Sequence, residues 1–128
     1  MSDDNLDWLD EIIAEIEADE AKRKLKRENP YALDLIRVLW PYGERGWYRV
    51  DAIDAVWKRR DQTGVNMPTK FESTVQSDYN RHTSTSSVFS GKPEDDLFYP
   101  VGRKGSGRWA VHHDRAKAWL LQKRLKPL

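Results

Sequence analysis

Apolar positions fall in five helical blocks and two short alternating ones. Leu6, Leu9, Ile13 and Ile16 are spaced 3, 4 and 3, an apolar stripe widened by Ile12, and predict a helix over about 5–27. Asp3 and Asp4 suit its N-terminal end, and Lys22 to Arg27 its C-terminal end. The stripe is too short for an independent coiled coil, so it must be covered by the chain's own body, a second copy or a partner. Asn29-Pro30 reads as N-cap and first helical position of a second helix, rich in apolar residues and ended by Pro41 and Gly43.

Trp47 to Val50 reads as a short extended piece, after which Asp51 caps a helix with Ile53, Val56 and Trp57 on one face. Another helix is expected over about 69–81. Phe71, Val75, Asp78, Tyr79 and His82 lie on one side of its wheel; Thr69, Lys70, Ser73, Gln76, Ser77, Asn80 and Arg81 lie on the other. A Ser/Thr-rich loop from His82 to Ser90 precedes two strands, 96–101 and 108–111, joined by the basic, glycine-rich turn 102–107. Asp114 caps a last helix through Lys126.

The fold class read from this order is α+β and mostly helical. Specifically, it is a winged helix-turn-helix: a three-helix core plus a β-hairpin wing, with an extra N-terminal acidic amphipathic helix and a C-terminal helix. The division expected is 1–28 for the acidic helix and 29–128 for the domain. At 128 residues, with 38% hydrophobic residues and six Trp, five Tyr and three Phe, the chain can fill one core.

Charge sharpens the picture. The formal net charge is only +1, yet residues 1–21 hold nine acids and no base, while the remainder sets all 22 Lys and Arg against twelve acids and carries +10. Such asymmetry points to a polyanionic partner for the body. A helix fits the major groove, and Asn, Gln, Arg, Lys, Ser and Thr match base edges. Thr69, Lys70, Ser73, Gln76, Ser77, Asn80 and Arg81 are therefore the candidate DNA-reading face, with Gln76, Asn80 and Arg81 assigned to bases. Arg103, Lys104 and Arg108 are assigned to the phosphate backbone or minor groove. The expected partner is double-stranded DNA and the expected role a transcriptional regulator or DNA-associated accessory factor. The other reading is a protein-interaction adaptor without nucleic-acid binding, working through Leu6, Leu9, Ile13 and Ile16, which could also form a homodimer. The acidic helix is also expected to temper DNA binding.

Ser73 to His82, then Asp96-Leu97-Phe98, then Gly105 to Val111 resemble the HARE-HTH and related restriction-associated winged-helix domains. The likeness spans about residues 29–112. It implies DNA binding, or an adaptor role in chromatin, polymerase or restriction complexes, often as a module attached to enzymes.

Several classes fall away. Without Cys there is no disulfide scaffold, thiolate zinc site or thiol nucleophile. No apolar run nears the roughly 20 residues that span a bilayer, and the acidic opening argues against a signal peptide. His112-His113-Asp114 reads as a strand end with an N-cap, since neighbouring strand residues point to opposite faces. Glu94-Asp95-Asp96 reads as a solvated loop in place of a magnesium site. No enzymatic activity, cofactor, metal, membrane or small-molecule substrate is expected, and the location expected is cytoplasmic, with the nucleoid.

Overall fold

The computed structural model describes residues 6–23, 31–61, 70–102 and 107–125. Among these the chain is α+β and mostly helical, with five helices and one three-stranded antiparallel sheet. The elements are α1 (Asp7–Arg23), α2 (Ala32–Leu39), β1 (Trp47–Tyr48), α3 (Arg49–Asp61), α4 (Phe71–Arg81), β2 (Phe98–Pro100), β3 (Arg108–Val111) and α5 (His113–Leu125). The strand order is β1-β3-β2, so the piece preceding α3 closes onto the far side of the hairpin. No helix among the described residues is long and apolar enough to cross a membrane.

One core unites the helices. Leu35, Ile36 and Leu39 of α2, Val56 of α3, Val75 of α4 and Leu120 of α5 meet Leu97, Phe98 and Val111 from the sheet region. The acidic helix belongs to this core: Leu9 and Ile13 are fully buried, Ile12 and Ile16 nearly so, and Leu6 packs at the margin. Its main neighbours are α5 and α2. Of the three covers open to its stripe, the structure supplies the chain's own body. Ion pairs border the contact: Arg37–Asp10 at 2.6 Å, Arg60–Glu17 at 3.4 Å and Arg124–Glu15 at 3.6 Å.

Polar contacts fix the helices to one another. The buried Asp78 of α4 accepts the Tyr31 backbone N–H at 2.8 Å, capping α2 from outside its own sequence. The expected caps, Asn29 and Pro30, lie outside the described residues. Asp34 of α2 is fully buried and meets Arg59 at 2.5 Å and Arg60 at 3.2 Å, both at the end of α3. Burial raises its pKa, and the charges of Arg60 and then Arg59 oppose that rise.

Several boundaries move. Helix α3 starts at Arg49, two residues before the expected cap Asp51, because Arg49 already donates its backbone N–H to Gly107 at 2.8 Å and needs no further extension. Between α2 and β1 runs a 3-10 turn, Trp40–Arg45. Gly46 follows it at φ 67°; a Cβ there would sit 2.5 Å from the Trp109 carbonyl and from Val101, so only glycine lets this turn abut β3. Of the run Glu94-Asp95-Asp96, read as solvated loop, the first two residues belong to a 3-10 turn, Pro93–Asp95, and Asp96 is buried. Asp96 accepts Ser84 N–H at 3.0 Å and pairs with Arg115 at 2.6 Å, joining the Ser/Thr loop to α5.

His82 is buried against Phe98 and Trp119, and its Nδ1–H donates to the Asp95 carbonyl at 3.0 Å. Burial holds its pKa below the ordinary value, partly offset by that hydrogen bond and by the Asp95 charge; burial also lowers His112. An unfolded imidazole takes up a proton near pH 6.5, whereas these folded ones resist it. Their contribution is thus intact above that pH and is lost progressively as pH falls below it. Asp34, with its raised pKa, works in the opposite direction, so a His82→Gln variant isolates the histidine part. Urea unfolding should show a lower midpoint at the acid end for the parent chain and a flatter profile for His82→Gln. Equal slopes in the two would contradict the assignment.

Candidate nucleic-acid interface

Helix α4 presents three faces, set by 100° per residue. Phe71, Val75, Asp78 and Tyr79 enter the core. Lys70, Ser73, Ser77 and Arg81 form one polar row: Lys70, Ser73 and Arg81 are exposed and Ser77 half-buried. Within this row the Ser73 hydroxyl donates to the Lys70 carbonyl, as does Thr74. Glu72, Gln76 and Asn80 form the third row, turned toward the start of α3.

That third row meets Arg49. Its Nε donates to Gln76 Oε1 at 2.5 Å and its Nη2 to Glu72 Oε2 at 2.8 Å; Gln76 then donates to Asn80 Oδ1 at 3.2 Å. The two carboxamides expected to read bases are therefore engaged within the fold, in a relay from α3 to the end of α4. The side of the helix expected to be one reading face is split in two.

A groove of about 410 Å³ runs beside this relay. Helix α3 supplies Arg49; α4 supplies Gln76, Tyr79 and Asn80; the following loop supplies Thr83, Thr85, Ser86 and Ser87; the hairpin supplies Pro100, Gly107, Arg108 and Trp109. Tyr79 stacks on Trp109 with ring centroids 3.9 Å apart, a rigid wall. Arg108 donates to the Arg45 carbonyl and lies over the Tyr48 ring, which orients its guanidinium at the turn end of the hairpin. The hairpin therefore stands next to α4.

Of the residues predicted from sequence, the structure gathers Gln76, Asn80 and Arg108 in the groove and leaves Lys70, Ser73, Ser77 and Arg81 on the adjoining row. Thr69, Arg103 and Lys104 lie outside the described residues. Arg49, Glu72 and Thr83 to Ser87 were missed. Nothing local marks Arg49, since its partners are 23 and 27 residues away; the run of hydroxyls was visible, but only as loop composition. As for the adaptor surface, Leu9, Ile13 and Ile16 face the core, so a partner could reach them only by detaching α1.

The two adjacent histidines do not converge. His112 lies against Tyr99 at 4.3 Å between ring centroids, whereas His113 stacks on Trp40 at 4.1 Å. Among the described residues no group of three metal-ligating side chains occurs. No protein-family model, curated protein or solved structure matches the chain.

Proposed function

We propose that this chain is a winged helix-turn-helix protein that binds duplex DNA, with α4 in the major groove and the β2–β3 hairpin as the wing. The observation that carries the reading is the adjacency of α4's Gln76–Asn80 row to the turn end of the hairpin, across one groove edged by Arg49 and Arg108. The element order α2-β1-α3-α4-β2-β3, with β1 paired to β3, supports the winged form. The +10 formal charge of the chain beyond residue 21 supports a polyanionic partner.

The relay of Arg49, Gln76 and Asn80 redistributes the roles. Lys70, Ser73, Ser77 and Arg81 are the outward groups that meet base edges and phosphates, while Gln76 and Asn80 hold Arg49 in place. Fluorescence anisotropy on a random duplex pool, measured across salt concentrations, tests this. A Lys70→Ala/Arg81→Ala variant should weaken binding and shallow the log–log salt dependence by roughly one unit of slope per lost phosphate contact. Failure of the parent chain to bind any duplex at low salt would refute the function; an unchanged slope in the variant would refute the docking face.

A further inference from the structure

We infer that the groove between α4, the Ser/Thr loop and the turn end of the hairpin is a phosphoryl-anion site, seating one phosphate between Arg49 and Arg108, with Glu72 as its built-in competitor. Three observations converge. First, Arg49 has its position fixed at both ends. Its backbone N–H is bonded to the Gly107 carbonyl, and its guanidinium spends bonds on Gln76 and Glu72 out of the five donors such a group carries. The Glu72 carboxylate is 66% exposed, so the pair is a weak, screened one that an incoming anion can displace.

Second, the remaining lining is chemically matched to phosphate oxygens. Ser and Thr hydroxyls rotate to donate, and among the described lining residues there is no carboxylate; Glu72 acts from beside the groove through its bond to Arg49. Third, Tyr79 is buried and lines the groove with its ring stacked on Trp109, so this wall is rigid and formed before any ligand arrives.

The volume of about 410 Å³ exceeds what one phosphate needs and is that of a site for a small phosphate ester. The phosphoryl group could belong to the DNA backbone or to a free phosphorylated polyol; the recognition chemistry is the same. The site stands on the groove and not on the DNA-binding reading, so the two can fail separately.

The test is nitrogen-edited NMR titration of the full chain with inorganic phosphate and with ribose 5-phosphate, each against sodium chloride at matched ionic strength. Amides of Asn80, Thr85, Ser86, Ser87 and Gly107 should shift saturably with the phosphates and not with chloride. Arg49→Ala should weaken binding about tenfold, as for loss of a charged hydrogen-bonding group. Glu72→Gln should tighten it by about threefold, by freeing Arg49 from a surface-class ion pair. Its direction is opposite to that of a damaged fold, so a merely destabilised variant cannot mimic it.

A second arm adds a 20-base-pair duplex. Competition between ribose 5-phosphate and the duplex would assign the groove to a backbone phosphate. Simultaneous binding, with Arg49→Ala affecting only the ester, would assign it to a free metabolite. Absence of localised shifts up to about 20 mM of either phosphate, well past a millimolar site, overturns the proposal even if the protein binds DNA.

Discussion

Removing residues 1–23 abolishes cooperative folding. Helix α1 contributes Leu9, Ile12, Ile13 and Ile16 to the core. Burying such side chains is worth about 1.5–3 kcal/mol each, so the four together supply roughly 6–12 kcal/mol, as an upper figure. Whole domains of this size are stable by only about 5–15 kcal/mol. The truncated chain also leaves the matching surfaces of α2 and α5 open to water. Circular dichroism should show loss of the thermal transition, with dye binding that marks exposed apolar surface. A truncated chain that melts cooperatively would show that α1 is a dispensable appendage.

The same geometry alters the regulatory expectation. The acidic helix packs on α5 and α2, whereas the groove is built from α3, α4, the following loop and the hairpin. Three of its acids are spent on Arg37, Arg60 and Arg124. Any effect of its charge on DNA must act through space, and is best read from an intact chain carrying Glu11→Gln in place of a deletion.

The second large effect falls on Asp34. Replacing it with Ala should destabilise the fold by about 3–5 kcal/mol, because Arg60, almost as buried, loses its carboxylate while remaining charged. Glu17 also lies beside it, at 3.4 Å, too loose to compensate. Replacing both Asp34 and Arg60 with Leu and Met should cost markedly less than Asp34→Ala alone, since the most buried cation leaves with its partner, while Arg59 and Glu17 are exposed enough to reach water. Chemical unfolding of the three variants gives the answer. A double variant less stable than the single one would mean that the pair is worth more than the desolvation it incurs. The consequence for the site is direct: Asp34 ties α2 to the end of α3 whose first residue is Arg49.

Local pattern revealed the elements and not their partners. The strand Arg108–Val111, bounded by glycines on one side and a helix start on the other, was legible to the residue. The buried side of α4, down to the anomalous Asp78, followed from its wheel. Arg49 was not legible, because a residue at a strand-to-helix junction gives no periodic signal and its role comes from Gln76 and Glu72 on another helix. Asp96 looked solvated in its acidic run, yet Ser84 and Arg115 bury it. Likewise the stripe of α1 was plain, but what covers it depended on α5, a hundred residues later.

That last distance has a consequence for biosynthesis. Trp8 meets Trp40 edge-on and Trp40 stacks on His113, so a segment made early is completed by one made much later in the chain. Until α5 has been synthesised, α1 stands with its oily side uncovered. Its run of acids favours hydration of that segment in the interval.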